Sequence, residues 1–222
     1  MKKNLNWFLR KWTLGFFVRK LYPTTIIGQE NLPDTPFILI VTPHKTAKET
    51  FIVPGFLYKW EFAIMVKSNA FKWYAKRVMM AAGLIPVERQ TGRGMLSFPA
   101  AVAALDEGRN MLIFPEGTRH RGDRFIHRAK PGFIYIALAA GVPIVLAGLI
   151  NMESPGRNAQ RIVVIDKPVD VKHELGLLGY AAIGTRIESV VARRLADKLM
   201  KRAAELSQSE YIGDKEYEGD AP

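Results

Sequence analysis

Residues 37–51 read FILIVTPHKTAKETF. The first part, Phe37–Val41, is apolar without a break. A run this short reads as a strand, and one without polar alternation reads as a strand covered on both faces. Within a few residues comes a helix-start signal. Thr46 to Glu49, TAKE, has the spacing of a capping box, in which Glu49 bonds the backbone at Thr46. Between strand and helix stands His44. In an α/β sheet that position is the carboxyl edge, where ligands bind.

The same alternation continues outward. Upstream, Thr24–Ile27 reads as a short strand and NLPDTP, residues 31–36, as a turn. Downstream, Phe62–Val66 reads as a strand, residues 69–83 as a helix stopped by Gly83, and LIPVER as a strand leaving that stop. Residues 94–108 form a helical pattern closed by Gly108, and NMLIFPEGTR is a buried strand running into a loop. PGFIYIALAAG has proline at its start and Gly141 at its end, the expected helix punctuation. VPIVLAGLI and RIVVIDKPV are strands, and residues 173–207 are mostly helical, interrupted around Gly176–Gly179. Strands alternating with helices predict an α/β domain with a largely parallel central sheet flanked by helices.

That domain is expected over residues 23–206 of the 222, with an acidic, flexible tail over 207–222. Residues 1–22 stand apart. The first 29 residues hold Lys2, Lys3, Arg10, Lys11, Arg19 and Lys20 and no acid, interleaved with Trp7, Phe8, Trp12, Phe16 and Phe17. The longest uncharged apolar run there, Trp12–Val18, is far below the roughly 20 residues that span a bilayer. The mixture predicts an amphipathic helix in the membrane interface; packing on its own domain is the plainer alternative. No small-residue cleavage site follows, so a secretory signal is not expected. The formal charge of +11 calls for a polyanionic partner. Nucleic acid would rest on that charge alone, without a stacking or groove-reading motif, and is not expected. The absence of cysteine excludes disulfides and thiolate chemistry, and a reducing compartment fits.

Two stretches carry chemistry. In the first, His44 and Glu49 are five positions apart, about 140° around an ideal helix, and would not share a face. They meet only if His44 lies on the loop and Glu49 in the first helical turn. Catalysis and capping both fit these residues. In the second, a strand ends in Glu116, Gly117, Thr118 and Arg119, followed by further arginines. Guanidinium groups beside glycine-exposed amides favour phosphate, and a solvated basic loop is the alternative. Arg89 ends another short strand, and parallel strands bring their ends together. His120, His127 and His173 show no metal spacing, so no metal site is expected. Phosphate-loop, dinucleotide-binding and nucleophile-elbow motifs are all missing.

Taken in order, these blocks resemble the glycerophospholipid acyltransferase family, of the lysophosphatidic acid acyltransferase (PlsC-like) type. HKTAKE matches that family's H-x4-D with glutamate at the acidic position. GLIPVER resembles its second block, FPEGTR at Phe114–Arg119 matches its third verbatim, and VPIVLAG matches its fourth with Leu146 where a second proline is usual. The match runs over about Thr24–Ile165. Pro43 departs from the family's common asparagine.

The resemblance implies transfer of a fatty acyl group from a thioester to lysophosphatidic acid, giving phosphatidic acid. His44 would be the general base and Glu49 its acidic partner, which favours the catalytic reading of that stretch. Arg89, Glu116, Gly117, Thr118 and Arg119 would form the acceptor site. A backbone amide of this loop or of the Val142–Val145 block would stabilise the oxyanion. No cofactor is implied, with acyl-CoA or acyl-carrier protein as co-substrate. The partners would be the lysophospholipid acceptor and anionic membrane lipid, and the location the cytoplasmic face of the cell membrane, peripheral or monotopic. Alternatives are a relative using glycerol 3-phosphate or a lyso-glycolipid, and a non-catalytic membrane-binding homologue.

Overall fold

The computed structural model describes residues 15–68, 77, 80, 83–87, 97–120, 125–180 and 187–213. The apolar run ahead of His44 forms strand β2 (Ile38–Thr42), buried at every position. Its unbroken apolarity has a direct cause. Ile38 and Ile40 enter one core while Leu39 and Val41 enter the other, so neither face is left for water.

Among the described residues, six more strands join β2 in the central sheet. They are β1 (Thr24–Ile27), β3 (Phe62–Lys67), β4 (Leu84–Val87), β5 (Asn110–Ile113), β7 (Ile144–Ile150) and β8 (Arg161–Ile165). The spatial order is β1-β8-β7-β2-β5-β3-β4. β7, β2, β5, β3 and β4 run parallel, β8 runs antiparallel to β7, and β1 runs parallel to β8. The sheet is therefore largely parallel, as expected, with one reversal toward the β1 edge.

Helices cover both faces. On one lie α3 (Phe98–Asp106), α4 (Gly132–Ala140), α5 (Val171–Leu177) and α6 (Ser189–Leu206). α6 buries Val191, Leu195 and Leu199, one residue per turn, which is what an amphipathic helix on a sheet requires. Its end lands on β7 at Gly148. A Cβ there would sit 2.6 Å from the backbone of Leu206 and Ser207, so only glycine fits.

The opposite face carries α1 (Gly15–Leu21) and α2 (Glu49–Phe56). α1 docks on α2 with Val18 over Gly55, where an added Cβ would lie 2.9 Å from the valine, and Arg19 Nη1 donates to Gly55 O at 2.9 Å. Its other side shows Phe16, Phe17 and Leu21, exposed by 54, 59 and 54%. This part of the N-terminal segment is packed on its own domain and still presents aromatic surface. Residues 1–14 of the expected 1–22 helix, and the helix expected over 69–83 apart from residues 77, 80 and 83, lie outside the described residues. No described helix is long and apolar enough to cross a membrane.

A second, parallel pair joins β6 (Phe125–His127) to β9 (Glu210–Gly213). Neither strand was expected. β6 is FIH, three residues with only Ile126 buried, too short to show a strand period. Residues 207–213 were expected to open the flexible tail. Instead Ser207 N–H donates to Ala203 O, closing α6, and Tyr211 OH donates to Asp197 Oδ1 at 2.6 Å. Long-range partners, invisible in the acidic sequence, hold that segment. Residues 214–222 lie outside the described residues.

Candidate active site

β2 ends at Thr42, and α2 begins at Glu49. His44 therefore lies on the connecting loop and Glu49 in the first helical turn, the arrangement under which the two can meet. They do: His44 Nδ1 is 2.7 Å from Glu49 Oε2. The other carboxylate oxygen, Oε1, accepts the backbone N–H of Thr46 at 2.8 Å, and Lys45 N–H is shared between both oxygens at 3.2 and 3.1 Å. One carboxylate thus pairs with the imidazole and also makes the Thr46 bond expected of a capping box; since α2 begins at Glu49 and its N-cap position, Lys48, has no side-chain cap, that bond holds the loop entering the helix. The Glu49 side chain is 1% exposed and that of His44 13%.

A carboxylate only accepts hydrogen bonds, so Nδ1 carries the imidazole proton and Nε2 is left as the basic nitrogen. The ring itself is stacked on Phe114, with centroids 4.0 Å apart and planes at 23°. Lys45 Nζ bonds Glu153 Oε1 at 3.0 Å, which ties the loop after β7 to the same edge.

The FPEGTR loop follows β5, the neighbour of β2, and so arrives beside His44. Glu116 points inward. Its Oε1 accepts Thr42 Oγ1–H at 2.7 Å and the N–H of His44 at 2.8 Å, and its Oε2 accepts the N–H of His127 at 3.4 Å. The carboxyl is turned toward the base of the site, where it holds the peptide of His44. Burial pushes this carboxyl up from its ordinary 4.5, and the bonds from Thr42, His44 and His127 offset part of that rise.

The rise has a consequence for stability. A carboxyl raised in the folded state contributes stability below its ordinary value and loses it as pH climbs through the folded value. Glutamine does not ionise. Over the pH range that runs upward from the ordinary carboxylate value of 4.5, Glu116→Gln should therefore gain stability relative to the unsubstituted protein. Urea midpoints across that range read this out, and a pH-independent difference would contradict it.

Thr118 and Arg119 are exposed on the rim. Gly117 is buried with φ 75°, a left-handed conformation that favours glycine, and its N–H closes a turn on Phe114 O at 3.1 Å. That amide is spent inside the loop instead of being presented to a ligand. Arg89 lies outside the described residues. The Val142–Val145 block does not reach the site. Ile144 pairs with Ile38, at the start of β2, while His44 follows its end, and the N–H groups of Val142 and Ile144 are taken by Ala137 O and Val169 O. The oxyanion role expected of this block is excluded by its place at the opposite edge of the sheet. Sequence reasoning missed Thr42 and Phe114. The strand-end position of Thr42 and the place of Phe114 at the head of FPEGTR were the available signals. Among the described residues no three His, Asp or Glu side chains gather as a metal site.

Comparison with known proteins gives the same picture. A 1-acyl-sn-glycerol-3-phosphate acyltransferase of Borreliella burgdorferi is 32% identical over 131 residues, 57% of this chain and 50% of that protein. One from Chlamydomonas reinhardtii is 30% identical over 200 residues, 85% of this chain and 58% of that protein. The chain thus spans little more than half the length of these curated relatives. The crystal structure of the 1-acyl-sn-glycerophosphate acyltransferase PlsC from Thermotoga maritima superposes with a TM-score of 0.60 at 21% identity, covering 83% of this chain and 71% of that one, and so shares the fold. The acyltransferase family model matches residues 23–148, which hold β2, the His44 loop and the FPEGTR loop. A match over more than half of the sequence, centred on the residues that build the site, places this chain in the acyltransferase family.

Proposed function

We propose that this protein transfers a fatty acyl group from an acyl thioester to the free hydroxyl of lysophosphatidic acid, forming phosphatidic acid. The observation that carries the reading is the His44–Glu49 pair, 2.7 Å apart with a buried carboxylate, at the carboxyl edge of the sheet beside FPEGTR. The names of the two curated relatives support the acceptor.

In this reading His44 Nε2 takes the proton of the acceptor hydroxyl as its oxygen attacks the thioester carbonyl. Glu49 holds the ring in the required tautomer and stabilises the imidazolium. The tetrahedral intermediate then collapses, the C–S bond breaks, and the imidazolium returns the proton to the leaving thiolate. Glu116 fixes the peptide of His44 from beneath, and Arg119, on the rim, binds the acceptor phosphate together with Arg89. The donor is acyl-CoA or acyl-carrier protein. Phe16, Phe17 and Leu21 on α1, with Lys20 beside them, set the protein on anionic lipid at the cytoplasmic face of the membrane, where its acceptor resides.

An acceptor panel tests this. Lysophosphatidic acid, glycerol 3-phosphate, monoacylglycerol and a lyso-glycolipid are each offered with both donor classes. Lysophosphatidic acid should be preferred, and preference for an uncharged acceptor would refute the assignment. Arg119→Lys should raise the acceptor KM about tenfold, because lysine does not reproduce the planar fork of arginine on phosphate. The donor KM should stay unchanged, and the defect should disappear with monoacylglycerol. A raised donor KM would mean that the basic rim serves the donor's phosphates.

A further inference from the structure

Two histidines that the mechanism does not use lie against the base. His120 follows Arg119, and His127 ends β6. Their rings are stacked, with centroids 3.4 Å apart and planes at 12°. Each has a backbone N–H in the site. His120 N–H donates to the carbonyl of His44 at 3.0 Å, and His127 N–H donates to Glu116 Oε2 at 3.4 Å. Glu116 Oε1 in turn accepts the N–H of His44.

These contacts close a ring. It runs from His44 N–H to Glu116, from Glu116 to His127, across the stacked imidazoles to His120, and back to the carbonyl of His44. Both peptide groups of His44 are therefore held, one by Glu116 and the other by His120. The two backbone bonds do not depend on which residues stand at 120 and 127. The stack does, and it fastens the end of the FPEGTR loop to β6, which is itself paired with β9. The 3.4 Å bond to Glu116 is the longest hydrogen bond of the ring, so the stack limits how far His127 can drift from the carboxylate.

We infer that His120 and His127 are positioning residues, whose stacked rings lock the backbone of His44 so that its imidazole stays aligned with Glu49 and the acceptor. The inference rests on the reading of His44 as the base. Catalysis depends steeply on placement, and a shift near 1 Å removes up to about a hundredfold in rate. Histidine is not required for such a stack; any flat ring of similar size serves.

The test uses the full chain with four substitutions, His120→Ala, His120→Phe, His127→Ala and His127→Phe. Two quantities are measured for each. One is kcat and KM with lysophosphatidic acid and acyl-CoA. The other, independent of turnover, is the low-field proton resonance of His44 Nδ1–H bonded to Glu49. Each alanine variant should lose between about ten- and a hundredfold in kcat. Its acceptor KM should stay within about twofold, since ground-state binding is untouched. Its His44 resonance should broaden or vanish. The phenylalanine variants should recover most of both signals. Wild-type kcat and an unaltered resonance in His120→Ala would overturn the inference, and so would phenylalanine variants no better than alanine. A protein that forms no phosphatidic acid, yet whose resonance responds as described, would sink the proposed reaction and uphold the positioning role.

Discussion

His44→Ala is expected to lose about 10²–10⁴-fold in kcat, the range that a positioned general base supplies. Alanine removes Nε2 and leaves no group to take the hydroxyl proton. The fold should survive, because His44 stands on a loop and the core strands beneath it are untouched. Glu49, however, loses its imidazole partner while keeping the N–H groups of Lys45 and Thr46. Its hold on the loop entering α2 should therefore persist. Circular dichroism and a urea midpoint near those of the unsubstituted protein would show this. Substantial turnover in a folded His44→Ala protein would remove the base from the mechanism.

The second large effect belongs to Glu49→Gln. The carboxylate accepts on both oxygens, from the imidazole on one side and from Thr46 N–H on the other, with Lys45 N–H between. An amide has one accepting oxygen and one donating nitrogen. If its oxygen stays with Thr46, its NH2 faces His44 and forces the tautomer in which Nε2 carries the proton and is no longer a base. If it flips, the imidazole tautomer is kept and the Thr46 bond is lost. The negative charge beside the imidazolium disappears in both cases. The corresponding acid-to-amide change in a Ser-His-Asp triad costs about 10⁴-fold, so a kcat loss of about 10²–10⁴-fold is expected, with little change in acceptor KM. Near-normal turnover would reduce Glu49 to a brace of the loop entering α2.

The FILIV run announced a doubly covered strand because both of its faces meet apolar cores, and burial on two sides leaves a local, one-dimensional trace. The glycine and proline punctuation of α3 and α4 was equally local. The His44–Glu49 pair was half legible. The offset made a contact conditional on where the helix begins, and capping and catalysis looked like rivals. They coexist because the long glutamate side chain lets one carboxylate span from the imidazole to the Thr46 amide. Glu116 was placed in the right loop, but the direction of its side chain was not visible. That direction is set by Thr42 and His127, which are distant in sequence and meet it only through the β2–β5 neighbourhood and β6. β6 and β9 are too short to carry a period, and each is defined by the other. Nothing in either segment alone marks it as a strand. The Val142–Val145 block illustrates the converse. Its sequence was recognised, yet only the register Ile38↔Ile144 shows that it stands at the edge away from His44.

The most direct test of the account is the rate of phosphatidic acid formation by the purified protein from lysophosphatidic acid and a long-chain acyl thioester. Free thiol release should be followed in the same reaction. Phosphatidic acid and thiol should appear together in equal amounts, and both rates should fall about 10²–10⁴-fold in the His44→Ala protein. Thiol release without phosphatidic acid, or no turnover of lysophosphatidic acid with either acyl-CoA or acyl-carrier protein, would contradict it.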